Sequence, residues 1–179
     1  MSTARHFQLM AHYNQRMNNQ LIDTCASLTT EQLQDDMGVF FSSILGTVNH
    51  IFVGDVFWLR RFQKHSDNFN QLKALEQFPK PKALNDIIYS NWNVFIEARQ
   101  IMDKIILSWC AQELQSSDLE RTLTYHNSQG QGACRNFAEL LAHLFNHQTH
   151  HRGQISALLS QLNVDIGTTD FLIDIPLVD

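Results

Sequence analysis

The sequence predicts an all-α fold, a four-helix bundle with a short β-hairpin or extended loop before the last helix. Four long segments repeat apolar residues at steps of three and four, which is the period of a helix with one buried face. A single short stretch combines β-forming residues with turn residues. Because no repeat, low-complexity tract or linker interrupts the chain, we expect one domain over residues 1–179.

The composition is that of a globular protein with a sizeable core, since 44% of the residues are apolar and 17% are charged. The net charge of −5 argues against binding to nucleic acid or to an anionic membrane. No apolar run reaches the roughly 18 residues of a membrane span, and the N-terminus lacks the apolar segment of a signal peptide. Cys25, Cys110 and Cys134 form no disulfide framework, which favours a cytoplasmic location.

The first helix is predicted over residues 3–27. Its apolar stripe comprises Met10, Tyr13, Met17, Leu21, Cys25 and Leu28. Asn14 and Asn18 are expected on the opposite, polar side of this helix. After the helix, Thr29 and Gln32 fit a capping box, which predicts one short helical turn.

The second helix is predicted from Ser42 to Lys64 and is apolar on most sides, which is typical of the central helix of a bundle. A polar connection follows, with a short helical piece over Gln71–Gln77 that is ended by two prolines. The third helix is predicted over residues 82–111. Its core seam advances alternately by four and three residues through Leu84, Ile88, Asn91, Phe95, Ala98, Met102, Ile105 and Trp109.

Strands are expected only between the third and fourth helices. Residues 119–126 alternate in part and contain β-forming side chains, and residues 127–132 are rich in turn-forming Asn, Ser and Gly. The fourth helix is predicted over residues 136–162. The tail that follows contains Gly167 and Pro176 and is expected to pack as irregular structure over the bundle.

The fourth helix carries four of the nine histidines of the chain: His143, His147, His150 and His151. At about 100° per residue, His147 and His151 fall within the apolar face, whereas His143 and His150 fall on its flank. Imidazoles four residues apart can reach one ion, but His143 and His151 are about 12 Å apart along the axis. A metal site on His147 and His151 therefore needs a ligand from another helix. The alternative is two buried histidines that bond to protein neighbours.

His50 is the most suggestive partner. It lies within the most apolar helix but shares a side with small residues, including Gly46 and Gly54, which predicts a cavity beside it. The other candidate ligands are His6, His12, His65, His126 and the carboxylate of Asp55.

Four segments in the expected order resemble the DinB family, a group of metalloproteins of the DinB/YfiT-like type. They are "YNQRMNNQL" (13–21), "ILGTVNHIFVGDVFWL" (44–59), "HLFNHQTHHRGQ" (143–154) and "DIGTTDFL" (165–172). The resemblance implies a four-helix bundle with up-down-down-up connectivity, usually a homodimer, and damage-inducible expression. It also implies that His50, His147 and His151 bind one divalent metal, often zinc or nickel. The chain departs from the pattern at Arg16, where many relatives have Trp.

Three histidine ligands leave a coordination position open, as in catalytic zinc sites. An ion held in this way lowers the pKa of a bound water or thiol. The resemblance supports two activities on a small molecule, hydrolysis and thiol-dependent S-transfer. The alternative is a non-catalytic metal-binding or stress-response protein in which the ion is structural.

The remaining polar residues near these histidines are interpreted as supporting groups. His143 and His150 are expected on the flank of the site, and Asp55 is expected to orient a neighbouring side chain rather than to bind metal. Arg152 is interpreted as solvated or salt-bridged. Gly153, in the middle of a helix, predicts the close approach of another helix. Cys134 has no evident partner base, which argues against a nucleophile.

Overall fold

A computed structural model of the protein describes residues 3–127 and 129–177. The fold is predominantly helical, with a small antiparallel hairpin before the last helix. The α-helices are Thr3–Cys25 (α1), Thr30–Gln34 (α2), Ile44–Phe62 (α3), Trp92–Gln112 (α4), Ser116–Glu120 (α5) and Phe137–Gln161 (α6). The strands are Thr122–His126 (β1) and Gly132–Asn136 (β2), and 3-10 helices cover Gln71–Gln77 and Phe171–Asp174. Of these elements, α5 and the 3-10 helix Phe171–Asp174 differ from the sequence predictions, because the tail is expected to be irregular and no helix is predicted over residues 116–120.

The long helices share one cluster of buried apolar residues. Helix α1 packs against α4 and α6, and α3 packs against α6. Within α3, 15 of the 19 residues are buried, which confirms that this helix is central. Its Phe62 ring packs edge-on against Phe137 of α6, with ring centres 5.1 Å apart, and lies 6.0 Å from the Trp109 ring of α4. None of the described helices is both long and apolar enough to cross a membrane.

The hairpin confirms the strand prediction between the third and fourth long helices. Strands β1 and β2 pair antiparallel from Thr122 opposite Asn136 to the turn. In the turn, the side-chain oxygen of Asn127 accepts a hydrogen bond from the backbone N–H of Gln131, and Gly130 adopts a φ of 77°. A positive φ is a conformation that glycine adopts without strain, so the residue suits this turn.

The predicted start of α4 is wrong. The helix begins at Trp92, where the side chain of Asn91 caps it by accepting a hydrogen bond from the backbone N–H of Val94. The sequence predicts a helix from residue 82, with an apolar seam that begins at Leu84. In the structure Leu84 is 48% exposed and lies outside the helix.

Side-chain hydrogen bonds hold the segment before α4 in a non-helical conformation. The carboxylate of Asp86 accepts from the backbone N–H groups of Lys82 and Ala83. The amide of Asn49, on α3, bonds to both the N–H and the carbonyl of Tyr89, at 2.9 and 3.0 Å. Because these bonds satisfy backbone groups without a helix, they offset the helical period of the sequence.

The tail packs on α1, as expected. The ring of Phe171 lies edge-on against Tyr13, with ring centres 5.1 Å apart. Arg16 forms an ion pair with Asp174, in which its Nε and Nη2 atoms both donate to the carboxylate, the shorter contact being 2.8 Å. The departure at Arg16 therefore serves to fasten the tail to the first helix.

Candidate metal centre

Three imidazoles converge between α3 and α6. His50 lies in the first half of α3, and His147 and His151 lie one turn apart on α6. Their Nε2 atoms form a triangle with edges of 3.0 Å (His50 to His147), 3.1 Å (His50 to His151) and 3.1 Å (His147 to His151). The helical wheel placed His147 and His151 on the inner face and required a partner from another helix, and the structure brings His50 to that position.

The hydrogen bonds of two of these rings fix which nitrogen carries the proton. The Nδ1 atom of His50 lies 2.7 Å from the carbonyl oxygen of Leu84, and the Nδ1 atom of His151 lies 2.7 Å from the amide oxygen of Gln154. Since these oxygens only accept, each Nδ1 donates, and each Nε2 is left as a lone pair in the neutral ring. Two unprotonated nitrogens therefore face each other at 3.1 Å.

Burial keeps the three rings neutral. It lowers the pKa of His147 to about 3, with additional repulsion from the neighbouring histidines, and it lowers the pKa values of His50 and His151 in the same direction. Neutral imidazoles cannot place a proton between the Nε2 atoms of His50 and His151. A cation accepts both lone pairs, so the residues present fit a divalent metal that prefers nitrogen ligands.

The loop before α3 covers one side of the triangle. The ring of Phe41 stacks on His50, with centres 3.8 Å apart, and meets His151 edge-on at 5.6 Å. This approach requires glycine at position 46, because a Cβ atom there would lie 1.9 Å from the carbonyl oxygen of Phe41. The Phe41 ring thus shields the imidazoles from water on this side.

The second small residue, Gly54, makes room for a candidate ligand. A Cβ atom at this position would lie 3.0 Å from Cε1 of His147, tighter than ordinary van der Waals contact. The small residues beside His50 were predicted to leave a cavity. Gly46 instead admits the Phe41 loop, whereas Gly54 admits the His147 ring and lines the cavity described next.

A cavity of about 450 Å³ opens beside the triangle, which confirms the predicted pocket next to His50. Both His50 and His147 line it. Its other walls include Gly54, Trp58, Arg61, Tyr125 and His143. This volume is within the range of small-molecule sites.

Comparison with known proteins identifies the family of this chain. Residues 1–176 match the DinB family. The chain belongs to the DinB family. It is similar to the protein DinB of Bacillus subtilis (strain 168), with 25% identity over 161 residues that cover 89% of this chain and 87% of that protein. It is also similar to the uncharacterized protein YizA of the same organism, with 24% identity over 163 residues, 89% of this chain and 90% of YizA.

The other histidines of this DinB-family chain lie outside the triangle. His143 is exposed on the cavity wall, where its ring lies 5.2 Å from Trp58 and 6.0 Å from His147. His150 is exposed, with its ring 4.8 Å from His151. His65 bonds to a backbone carbonyl. Within residues 3–127 and 129–177, the triangle is the one group of His, Cys, Asp or Glu arranged to hold a metal.

A buried ionic network lies next to the histidines and joins α3 and α6 to α1 and α4. Asp55, on α3, is fully buried, pairs with Arg99 of α4 and accepts a hydrogen bond of 2.7 Å from Gln148 of α6. Arg99 also pairs with Asp103 at 2.8 Å. Burial raises the pKa of Asp55 to about 6, despite the adjacent guanidinium, so the group is still ionised at neutral pH. Asp55 thus orients its neighbours, as expected.

The same network overturns two predictions. Asn14 and Asn18, expected on the polar side of α1, are 1% and 5% exposed, and Asn18 donates to Asp103 at 2.9 Å. Arg152, interpreted as solvated or salt-bridged, is 4% exposed and donates to the side-chain oxygens of both asparagines. The asparagines therefore satisfy a buried guanidinium and a buried carboxylate together.

The prediction for Gly153 is also wrong, because nothing lies within 4 Å of a Cβ atom built there. The three cysteines are free, as expected. Burial raises the pKa of the Cys25 thiol to about 12 and raises that of Cys110 as well. Cys134 is exposed on β2, where hydroxyls of neighbouring threonines lower its pKa.

Proposed function

We propose that this DinB-family protein binds one divalent metal ion through the Nε2 atoms of His50, His147 and His151. The pair of unprotonated nitrogens on His50 and His151 carries the proposal, because no proton of either ring lies between them. Imidazole nitrogen suits zinc and nickel, the two metals expected from the family resemblance. Hydrogen bonds to the far side of two of the rings are the usual support of histidine ligands.

We propose further that the centre is catalytic and acts on a small molecule by hydrolysis or by thiol-dependent S-transfer. A divalent ion with three neutral protein ligands supplies a Lewis acid that lowers the pKa of a coordinated water or thiol. The chain itself contributes the position of the rings, through Leu84 and Gln154, and the exclusion of water by Phe41. The cavity beside His50 and His147 gives a substrate access to the same nitrogens.

The competing function is a structural ion in a metal-binding or stress-response protein. Such an ion would link α3 to α6. These two helices are already joined by apolar packing and by the hydrogen bond between Asp55 and Gln148. The cavity that reaches two of the three candidate ligands favours catalysis, because a structural site is normally closed.

Metal content tests the ligand set. The protein is stripped with a chelator, reloaded with zinc or nickel, desalted and subjected to elemental analysis. We expect about one ion per chain in the wild type and none in His147→Ala. His150→Ala is the matched control, because that exposed ring lies outside the triangle, and we expect it to retain the ion. Full occupancy in His147→Ala would refute the proposed site.

Thermal unfolding after chelation separates the two functions. For a catalytic ion we expect the stripped protein to keep its helical circular dichroism and a cooperative transition. Loss of folded structure on chelation would favour the structural alternative. Both measurements use the intact chain, so they compare the same fold with and without the ion.

The finer architecture belongs to the same proposal. The packing of α1 on α4 and α6, and of α3 on α6, supports a single four-helix bundle, and the family resemblance supports up-down-down-up connectivity. The family resemblance supports a homodimer. Sedimentation equilibrium measures the dimer directly, and a mass of one chain across the micromolar range would contradict it.

A further inference from the structure

The cavity beside the triangle follows one face of α3. Its lining includes His50, Gly54, Trp58 and Arg61, which follow one another at steps of four, four and three residues. Residues at these steps share one side of a helix, and the separation of eleven residues between His50 and Arg61 spans about 16 Å of axis. The cavity is therefore elongated, with the candidate metal ligands towards one end and Arg61 towards the other.

Arg61 is a fixed cation in this cavity. Its guanidinium carbon lies 4.8 Å from the ring centre of Trp58 and 5.3 Å from that of Tyr125, and one of its nitrogens donates to the carbonyl of His126 at 3.0 Å. These contacts hold the half-buried side chain in one orientation. None of the ion pairs in the described part of the chain includes Arg61. A guanidinium has five N–H donors, so donors are left over for a ligand.

The charge of the cavity is opposite to that of the chain. Lys82 lines it together with Arg61, and the described lining contains no Asp or Glu. The whole chain carries a net charge of −5, so this local excess of positive charge does not follow from the overall composition. A cation at the wall of a half-buried apolar site attracts and orients an anion. The apolar surface of Trp58 and Tyr125 beside it suits an apolar body.

We propose that the cavity binds an elongated organic anion. Its carboxylate pairs with Arg61, and its apolar body lies against Trp58. Its far end is presented to the Nε2 triangle. This inference rests on the proposed function, because it names the substrate class of the same site. It makes Arg61 a specificity-determining residue about three helical turns from His50.

Two probes of nearly equal shape test the charge preference: octanoate and its neutral amide, octanamide. Isothermal titration calorimetry on the metal-loaded protein is expected to give at least about tenfold tighter binding of octanoate, the effect of one charge-assisted pair. Arg61→Gln should remove this preference and leave the affinity for octanamide within about twofold. Arg61→Lys keeps the charge and should retain part of the preference.

Arg135→Gln is the matched control, because it removes the same charge from an exposed position on β2 that does not line the cavity. We expect it to bind both probes as the wild type does. Equal affinities of the wild type for the two probes, or no octanoate binding below about 10 mM, would overturn the proposal. The proposal would also be overturned if the preference for octanoate remained in Arg61→Gln, or if Arg135→Gln reduced it as much as Arg61→Gln does.

A carboxylate can also bind a metal directly, so the same titrations are run on chelated protein. We expect the dependence on Arg61 to persist there. If the preference for octanoate disappears when the ion is removed and is unchanged in Arg61→Gln, the carboxylate binds the metal. That result would refute the anion site at Arg61 and leave the proposed metal site standing. Absence of metal from the wild type, with octanoate binding that still depends on Arg61, would refute the proposed function and leave the anion site standing.

Discussion

Two polar regions lie side by side between α3 and α6, one centred on Asp55 and the other on His147. In the first, each carboxylate accepts hydrogen bonds from a guanidinium or an amide of the chain, and of the described groups in this region only the Nε atom of Arg99 lacks a partner. In the second, lone pairs of His50 and His151 face each other with no donor between them. Since a buried charge without a partner is costly, the charges of the first region are paired within the chain, whereas the second is compatible with an ion from outside.

The largest expected effect comes from breaking the ion-paired region around Asp55. Asp55→Ala leaves the guanidinium of Arg99 short of one of its two partners in the interior. We expect a loss of about 3–5 kcal/mol in the free energy of unfolding, measured by urea denaturation. In chelated protein, His147→Ala should cost much less, because its ring is only half-buried and no carboxylate depends on it. Equal losses for the two variants would remove the distinction between the regions.

The second effect comes from completing the histidine region. An ion that binds only the folded state at 100 times its dissociation constant stabilises it by about 2.7 kcal/mol. We therefore expect zinc or nickel to raise the midpoint of thermal unfolding of the wild type by several degrees. His147→Ala should show no rise, and His150→Ala should behave as the wild type. A rise of the same size in His147→Ala would mean that the ion binds elsewhere.

The two regions should respond to pH with opposite signs. The pKa of His147 is lowered to about 3, so the unfolded chain binds more protons and the stability of chelated protein falls as pH drops from about 6.5. The pKa of Asp55 is raised to about 6, so its contribution falls as pH rises from about 4 to 6. Urea denaturation at several pH values between about 4 and 6 measures this. Compared with the wild type, the free energy of unfolding should rise less steeply with pH in His147→Gln and more steeply in Asp55→Asn. The same change in slope for both variants would contradict these assignments.

The smallest effects come from two helical glycines that form a matched pair. Gly54→Ala places a methyl group against the ring of His147 and should weaken metal binding by about tenfold, measured by calorimetry. Gly153→Ala meets nothing within 4 Å and should leave metal affinity unchanged while it stabilises α6 by up to about 1 kcal/mol. Unchanged metal affinity in Gly54→Ala would show that the ring has room to move.

The histidine region could be predicted because its pattern is local. His147 and His151 lie one turn apart, and the apolar residues around them define which way that face points. The small residues beside His50 made it the most suggestive partner, and the resemblance to the family then assigned it as a ligand.

The ionic region could not be predicted in the same way, because its partners are distant in the chain. Asn18 and Asp103 are 85 residues apart, and each is polar in a helix whose core is otherwise apolar. Helical period alone assigns such residues to the solvent face. The late start of α4 could not be predicted either. The hydrogen bonds that hold the preceding segment come from the side chain of Asp86, within that segment, and from that of Asn49, on α3.

The hydrogen bond from His50 to Leu84 connects the cavity wall to the electronic state of a candidate ligand. Leu84 belongs to the irregular segment before α4, and it lines the cavity together with Lys82. A stronger bond at Nδ1 makes the imidazole more basic at Nε2. A molecule in the cavity that displaced Leu84 would therefore change how strongly Nε2 of His50 donates electrons to a bound ion.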